Sequence, residues 1–303
     1  MGLARLIAAL PRGFFLTLVD VGSAGGLHSR WRPFKPILSA ILFDPREAAA
    51  SGGFGPGETR VYPVALSDRS GEAELHITSL ANMSSFLRPD PDVFGRYRKK
   101  GADTEVVHDE AVPVERLDAL ARADGFRPNV LKVDTQGSEL MVLEGSRESL
   151  KSAMLAEIEV SFFRRYVGQP LFADIQGWME QQGFELIELY RLKRYRAANR
   201  LGIRTSLMAD GQRSGRVAYG DAIFLRNEGS ILAAAAADEG VSLLRAVVAL
   251  LAYGKADHAA ALLDHGGDLL PAAQREALGQ ALTALNRWRI VPRIAGLVKR
   301  SRY

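Results

Sequence analysis

A glycine-rich segment follows the first apolar run of the chain. Residues 19–26 read VDVGSAGG, with the spacing acidic-x-Gly-x-x-x-Gly. Gly22 and Gly26 allow the backbone to turn sharply and to approach a ligand, because neither has a Cβ. Asp20 can accept hydrogen bonds from a cationic amino group. The segment predicts a site for a cofactor with an amino-acid end, with Asp20, Gly22, Ser23 and Gly26 as its binding residues.

The same segment departs from the pattern that binds dinucleotides. That pattern, G-x-G-x-x-G, holds a pyrophosphate against the N-terminus of a helix. Ala24 and Leu27 stand at its second and third glycine positions. The segment therefore does not favour a dehydrogenase, and the remaining alternative is a glycine-rich turn that binds no ligand.

Polar side chains also end the next two apolar runs. Asp44 follows residues 37–43, where an acidic side chain can hold both hydroxyls of a ribose. Ser67 and Asp68 follow residues 61–66, where Asp68 can accept a hydrogen bond from the exocyclic amine of an adenine. A simple turn is the alternative at both places, because Asp is a common turn residue. Together these side chains predict an edge of the protein that binds an adenosine group.

Two later runs carry candidate proton acceptors. Asp134 ends the apolar run 130–133, and Glu159 lies near the end of the run 154–160. Ligands of open α/β sheets bind at the carboxyl ends of the strands, and a carboxylate within reach can take a proton from a hydroxyl. We expect Glu159 and then Asp134 in this role, with His28 as a third candidate. Asp134 is also expected to contact the cofactor.

These carboxylates have two alternative roles. Glu159, like Glu157 on the same face of its strand, can be a structural carboxylate that is paired inside the sheet. Asp134 and Glu159 can instead hold magnesium, because hard cations prefer oxygen ligands. The five histidines are scattered without the spacing of zinc ligands, so we expect no zinc site.

Strand and helix patterns alternate along the first part of the chain, which predicts an α/β fold. The predicted strands are residues 16–21, 37–43, 61–66, 130–133, 154–160, 184–189 and 222–225, with helices at 138–150 and 171–182. A long insertion after the third strand, with extra strands at 72–77 and 106–114, is a candidate lid. After Gly229 the composition shifts to Ala and Leu. We therefore predict a cofactor-binding domain at 1–229 and an α-helical module at 230–303.

The bulk composition limits the class of protein. Of 303 residues, 47% are hydrophobic and 24% are charged, as in ordinary soluble globular proteins. The absence of cysteine excludes disulfides and thiolate metal sites and fits a reducing compartment, so we expect a cytoplasmic protein. No run reaches the roughly 20 apolar residues that cross a bilayer, so any membrane contact is expected to be peripheral.

The net charge of +4 hides clusters of basic residues, of which one lies at 96–100 and a second at 191–204. The second cluster joins the sixth and seventh predicted strands, so its ends leave the sheet at the same edge as the cofactor site. We expect its arginines, with Tyr190 and Tyr195, to bind an anionic glycan or a phosphorylated lipid-linked sugar by bidentate contacts and ring stacking. The arginines expected to bind this acceptor are Arg191, Arg194 and Arg196.

A third basic cluster lies in the C-terminal tail, residues 287–303, which mixes apolar and cationic side chains. Such a segment can lie on an anionic surface at the inner face of a membrane. The alternative is that the tail packs against the core or against a second subunit, so that the helical module forms a homo-oligomer.

Five segments resemble the FkbM-type family of S-adenosylmethionine-dependent methyltransferases. They are VDVGSAGG at 19–26, ALSDRSGEAELHI at 65–77, VPVERLDAL at 112–120, VLKVDTQGSELMVLEG at 130–145 and EIEVSFFRRYVGQPLF at 157–172. The resemblance covers about residues 16–226. It implies a class I methyltransferase Rossmann-like fold, with a mostly parallel seven-stranded sheet whose last strand is antiparallel. It also implies S-adenosyl-L-methionine as cofactor and O-methylation of a sugar, a glycan or a related small acceptor.

Two departures from this family matter. Asp44 stands where many members carry Glu, and the family pattern does not cover residues 230–303. Two alternative functions remain beside the resemblance. An RNA methyltransferase would suit basic residues with interleaved aromatics, but Asp134 starts DTQG where an Asn/Asp-Pro-Pro-aromatic motif would stand, so we expect no nucleic-acid partner. The second alternative is a scaffold without activity, and the intact glycine-rich segment argues against it.

Overall fold

The computed structural model describes residues 2–23, 25–98, 100–205 and 213–297, with side chains up to residue 285. Lys99 of the first basic cluster and the basic side chains of the tail lie outside the described residues. Among the described residues, no helix combines the length and the apolar composition that a membrane span needs.

The strands in the described part of the chain form two sheets. They are β1 (Leu16–Val21), β2 (Leu38–Phe43), β3 (Thr59–Tyr62), β4 (Ala65–Leu66), β5 (Gly71–Thr78), β6 (Val106–Glu115), β7 (Val130–Val133), β8 (Leu155–Ser161), β9 (Phe184–Tyr195) and β10 (Arg216–Arg226). The main sheet has the order β3-β2-β1-β7-β8-β10-β9, and a three-stranded sheet has the order β4-β6-β5.

The main sheet has the predicted direction of its strands. The neighbouring strands β3, β2, β1, β7 and β8 pair in parallel, whereas β10 runs antiparallel between β8 and β9. The predicted class, a mostly parallel seven-stranded sheet with an antiparallel last strand, is therefore confirmed. The chain leaves β1 toward β2 on one side and returns as β7 on the other, and the crevice at such a switch point is where open α/β sheets bind ligands.

The α-helices of the described part lie on both faces of this sheet, except for the second and the third in chain order, which lie in the insertion. They are α1 (Gly2–Ala8), α2 (Pro91–Phe94), α3 (Lys100–Asp103), α4 (Leu117–Asp124), α5 (Glu139–Glu144), α6 (Arg147–Leu150), α7 (Phe172–Gln181), α8 (Glu228–Ala237), α9 (Val241–Ala252), α10 (Ala256–Gly266) and α11 (Ala272–Leu297). Short 3-10 helices lie at Ser29–Ile37, Ala81–Met83 and Gly267–Leu269.

Several element boundaries differ from the sequence-based expectation. The third predicted strand is divided, because Pro63 has no N–H for a sheet hydrogen bond: β3 pairs in the main sheet and β4 in the small one. The predicted connection after the sixth strand is also wrong in extent, since β9 and β10 continue as paired strands as far as Tyr195 and Arg216.

Side chains alternate between the two faces of each strand. On one face Val19, Val21 and Ile158 pack in a core cluster with α4 to α7. On the other face Leu18 and Leu155 pack in a cluster with α1 and α8 to α11. The helices after residue 230 thus share a core with the sheet, and the division of the chain at 229/230 stays a prediction of the sequence.

Toward the carboxyl ends of the central strands, the face that α8 to α11 cover becomes polar. Asp20 continues the row of Leu18, and Glu157 continues that of Leu155. Because side chains two residues apart share a face, Lys132 on β7, Glu159 on β8 and Asp221 on β10 also belong to it. This face of the sheet is therefore apolar where the helices cover it and charged at the carboxyl ends of the central strands.

Candidate active site

A cavity of about 360 Å³ lies at this edge of the sheet. The main sheet contributes residues from the ends of β1, β2, β7, β8, β9 and β10. The small sheet, which contains both extra strands of the predicted insertion as well as β4, contributes the apolar residues Ala65, Leu66 and Leu75. The cavity therefore has an apolar wall from the small sheet and a charged wall from the strand ends.

The turn after β1 is fixed by close backbone contacts. Gly22 has φ +76°, and a Cβ there would lie 2.0 Å from the carbonyl oxygen of Asp134. Its N–H and that of Ser23 donate to the carbonyl oxygen of Phe43 at 2.9 Å and 3.3 Å. Gly26 also has a positive φ of +82°, but open space surrounds its Cβ position. Only glycine fits position 22 without moving β7.

Asp44 lines the same cavity as Gly22. Its side chain is buried, and Oδ1 accepts a hydrogen bond from the backbone N–H of Arg46 at 2.9 Å. Ser67 and Asp68 are not among the described residues that line the cavity, although Leu66 beside them is. The hydroxyl of Ser67 donates to Oδ1 of Asp68 at 2.9 Å, as expected for the turn interpretation.

Asp20 is engaged inside the protein. Its Oδ1 accepts a hydrogen bond from Nζ of Lys132 at 2.8 Å. Burial raises the pKa of Asp20, and the Lys132 ammonium opposes that shift. Asp20 and Ser23 are absent from the described lining of the cavity. The structure thus identifies the partner of Lys132 and places Asp20 behind the cavity wall.

Glu159 and Asp134 both line the cavity and are linked by an amide. Nε2 of Gln136 donates to Oδ1 of Asp134 at 3.0 Å and to the two oxygens of Glu159 at 3.3 Å and 3.2 Å. Nη2 of Arg165 donates to Oε1 of Glu159 at 2.8 Å. Burial and the charge of Asp134 raise the pKa of Glu159, whereas Arg165 lowers it.

This arrangement does not fit magnesium between Asp134 and Glu159. The Gln136 amide donates to both carboxylates, and Arg165 already neutralises Glu159. A cation would have to displace these donors.

His28 lies outside the described cavity lining, at the start of the first 3-10 helix. Its Nδ1 accepts hydrogen bonds from the backbone N–H and from Nε of Arg30, each at 3.2 Å. Burial and the Arg30 charge lower the pKa of His28. Its imidazole therefore caps a helix and fixes Arg30.

Asp221 is a cavity residue that the sequence analysis missed. It lies opposite Glu159 in the β8–β10 pairing, and its Oδ2 is 3.6 Å from Nη1 of Arg191. Burial, followed by the charges of Glu157 and Asp134, raises the pKa of Asp221 to about 6. The predicted strand began at Ala222, one residue too late to include this carboxylate.

The expected acceptor-binding residues are separated. Arg191 lines the cavity, as does Lys193 on the same strand. Nη1 of Arg194 instead donates to the carbonyl oxygen of Gly215 at 2.9 Å, and Arg196 is exposed away from the described lining. The expected stacking by Tyr195 is wrong, because that ring is buried among other aromatic rings.

Tyr190 belongs to a buried cluster around Glu157. Its hydroxyl accepts a hydrogen bond from Nη2 of Arg30 at 2.6 Å and donates to Oε1 of Glu157. Arg30 and Tyr253 also contact Glu157, at 3.1 Å and 2.7 Å. The structural role considered for Glu157 fits this cluster, and Tyr190 is held away from a stacking role.

A second group of ligand-type side chains lies on the small sheet. Glu74, His76 and Asp109 have ligand atoms within 4.8 Å of one another. Nη2 of Arg88 lies 2.9 Å from Asp109 and 3.9 Å from Glu74. A guanidinium thus already balances the charge that would attract a metal cation.

The fold and this cavity together define a class. The sheet order, with a glycine turn after β1 and a carboxylate after β2 on one cavity, is the Rossmann-like fold that the resemblance implies. Residues 44–186 match the model of the methyltransferase FkbM domain. This match confirms, over residues 44–186, the resemblance of the sequence to the FkbM methyltransferases.

Two similar proteins extend this comparison. The 2-O-methyltransferase NoeI of Sinorhizobium fredii (strain NBRC 101917 / NGR234) is 25% identical over 164 residues, which are 50% of this chain and 66% of the relative. The solved structure of methyltransferase FkbM from Methylobacillus flagellatus KT has a TM-score of 0.33 and 11% identity. That comparison covers 71% of this chain and 44% of the other. The chain thus spans less than two thirds of the curated relative's length.

Proposed function

We propose that this protein transfers a methyl group from S-adenosyl-L-methionine to a hydroxyl of a sugar, a glycan or a related small acceptor. The observation that carries the proposal is the position of Gly22 and Asp44 on one cavity with the carboxylates of Glu159 and Asp221. The name of the relative NoeI, a 2-O-methyltransferase, supports oxygen as the methylated atom.

The residues of the cavity fit this cofactor. Asp44 would hold the ribose hydroxyls, because an acidic side chain after the second strand can bind both. Leu66 and Leu75 offer an apolar surface for the base, and the backbone of Gly22 lines the same cavity, where the amino-acid end would lie. The buried Oγ1 of Thr135, also on the cavity, has no partner in the described structure and is free to bind a ligand. When bound, the cofactor supplies an electrophilic methyl group on a sulfonium.

The charged wall would bind and deprotonate the acceptor. Arg191 and Lys193 line the cavity and would contact an anionic or hydroxylated acceptor such as a lipid-linked sugar. We assign proton transfer to Asp221, because Arg165 and Gln136 occupy both oxygens of Glu159. Positioning the acceptor and excluding water supply most of the rate of a methyl transfer.

Calorimetry with S-adenosyl-L-methionine tests the cofactor assignment. We expect Asp44→Asn to weaken binding about 10- to 100-fold, since hydrogen bonds to a charged group contribute about 1.5–3 kcal/mol. Asp68→Asn is the matched control, because Asp68 lies in a turn outside the described cavity lining, and its affinity should stay within about twofold. Absence of binding to the unmodified protein would refute the proposed function.

A turnover screen then identifies the acceptor. S-Adenosyl-L-methionine is supplied with sugars, glycans, lipid-linked sugars or RNA, and mass spectrometry detects a methylated product. We expect methylation of a hydroxyl-bearing sugar or glycan. Turnover on RNA alone would contradict the acceptor class while leaving the cofactor assignment in place.

A further inference from the structure

The fold brings two basic segments together that are far apart in the sequence. Tyr97 and Ala197 form an isolated antiparallel bridge. The N–H of Arg98 donates to the carbonyl oxygen of Arg196 at 3.0 Å, and the N–H of Ala198 donates to that of Arg96 at 2.8 Å. The first basic cluster and the end of the second therefore form one surface.

This surface has little acidic compensation. Lys100 of the first cluster pairs with Asp103 at 3.4 Å, but the arginines of this surface form no ion pair with a carboxylate in the part of the chain that the structure describes. We call it the basic docking surface, and its basic members are Arg96, Arg98, Arg196, Arg200 and Arg204. Its uncompensated positive charge complements an anionic partner.

A closed turn presents apolar side chains in the middle of these arginines. Oδ1 of Asn199 accepts a hydrogen bond from the N–H of Ile203 at 3.0 Å, and its Nδ2 donates to the carbonyl oxygen of Ile203 at 2.8 Å. Gly202 completes the turn with φ +71°. The side chains of Leu201 and Ile203 are 83% and 61% exposed. The turn is thus fixed by its own hydrogen bonds, and its aliphatic side chains are exposed to solvent.

We propose that the basic docking surface binds an anionic lipid membrane. Arginines beside exposed aliphatic side chains match an interface in which phosphates lie next to acyl chains. A soluble polyanion such as RNA offers no apolar layer for Leu201 and Ile203, and the turn carries no aromatic ring on which a base could stack. The membrane therefore accounts for both the charge and the aliphatic tip.

The position of the surface relates it to the cavity. β9 carries Arg191 and Lys193 on the cavity and then runs directly to Arg196. Docking through this surface would bring the charged end of the cavity toward the bilayer. This inference concerns where the protein works and does not depend on the proposed methyl donor or acceptor.

Flotation of the full chain with lipid vesicles tests the proposal. One set of vesicles is phosphatidylcholine alone, and the other is phosphatidylcholine and phosphatidylglycerol in equal parts. We expect the protein to float with the anionic vesicles and to remain behind with the neutral ones. Arg196→Ser/Arg200→Ser/Arg204→Ser should lower the partition coefficient about 100-fold, because each basic residue near an anionic surface contributes about fivefold.

A second variant separates membrane insertion from charge attraction alone. Leu201→Ser/Ile203→Ser leaves the charge unchanged, and we expect its partition coefficient to fall at least about tenfold. Matched controls are Arg69→Ser/Arg122→Ser/Arg127→Ser and Val107→Ser/Val167→Ser, which alter exposed residues outside the surface and should bind like the unmodified protein.

Three results would overturn the proposal. One is no flotation of the unmodified protein, and another is flotation that the arginine variant leaves unchanged, which would assign binding to a different segment. The third is a serine variant at Leu201 and Ile203 that floats normally while the arginine variant loses binding to both vesicles and a single-stranded RNA. That outcome would make the surface a general polyanion site.

Discussion

Carboxylates at the strand ends differ in how their charges are balanced. Asp20 accepts a hydrogen bond from an ammonium at 2.8 Å, and Glu157 and Glu159 each accept from a guanidinium and from further donors. Asp221 has its cation, Arg191, at the longer distance of 3.6 Å. A buried charge without close donors is costly, which favours the protonated form. This difference makes Asp221 the carboxylate best suited to exchange a proton near neutral pH.

Replacement of Asp221 tests its role in proton transfer. We expect Asp221→Asn to lower kcat about 10²- to 10⁴-fold, the usual contribution of a general base, while affinity for S-adenosyl-L-methionine stays within about twofold. The carboxylate accepts a proton only when ionised. The rate of the unmodified enzyme should therefore rise with pH through about 6 and become constant above it. Initial rates between about pH 5 and 8 measure both effects.

The charged and titratable groups that face Asp221 determine its pKa, and changing one of them provides a control for the pH dependence of the rate. They lie on β7, directly after β7, on β8 and on β9: Lys132, Asp134, Glu157, Glu159, Tyr190, Arg191 and Lys193. Arg191→Gln removes the cation that holds the pKa of Asp221 down, so the inflection should move to higher pH. An inflection near 6 that persists unchanged in Asp221→Asn would assign the titration to another group.

The turn between β1 and the first 3-10 helix shows how one element depends on its neighbours. Gly22 combines a positive φ with a Cβ position only 2.0 Å from the carbonyl oxygen of Asp134. Gly25 has a similar φ of +87° with open space around its Cβ position. A substitution at Gly25 therefore introduces backbone strain alone, whereas one at Gly22 also introduces a collision with the residue after β7.

This pair gives a prediction for the turn. Gly25→Ala should destabilise the protein by about 1–2 kcal/mol, the cost of a left-handed conformation. Gly22→Ala should cost more than this and also weaken cofactor binding, because β7 and Asp134 must shift. Urea denaturation and calorimetry measure the two effects. Equal losses of stability in both variants would show that contact with Asp134 is unimportant.

The sequence predicted elements where burial controls the pattern. β1 and β7 begin and end as expected, because both faces of a central parallel strand are covered and the apolar run is continuous. β9 extends beyond Leu189, since it is the edge strand and its outer half carries charged residues that do not look like a strand. Pairing with β10 stabilises that half.

The sequence likewise predicted the part of the site that follows from strand ends, but not the part that depends on contacts between distant residues. Gly22, Asp44, Asp134 and Glu159 share the cavity because parallel strands bring their carboxyl ends to one edge. The pairing of Asp20 with Lys132 and the burial of Tyr195 could not be predicted, because their partners are distant in the sequence and depend on strand order and register. These contacts exist only once the sheet has formed.

At the scale of the whole molecule, the helices after residue 230 complete the central sheet. The FkbM match ends at residue 186, yet helix α9 packs against β1 and β8, and α8 and α10 pack against α9 in the same core. The hydroxyl of Tyr253 donates to Oε2 of Glu157 at 2.7 Å, and Nζ of Lys255 lies 2.6 Å from Glu188. These contacts connect the helices to strands that also line the cavity.

Removal of these helices should unfold the rest of the chain. Deletion of residues 230–303 uncovers a row of large apolar side chains on the sheet, including Leu18, Leu155 and Ile223. Each loses about 1.5–3 kcal/mol of burial, and these losses together rival the 5–15 kcal/mol stability of a typical domain. We expect residues 1–229 to bind a hydrophobic dye and to lack cooperative urea unfolding, while the full chain unfolds in one transition.

Leu244→Ala in the full chain should lower the free energy of unfolding by about 2–5 kcal/mol without dividing that transition, since Leu244 is buried in the shared core. A truncated chain that unfolds cooperatively and binds S-adenosyl-L-methionine would instead make residues 1–229 an independent domain.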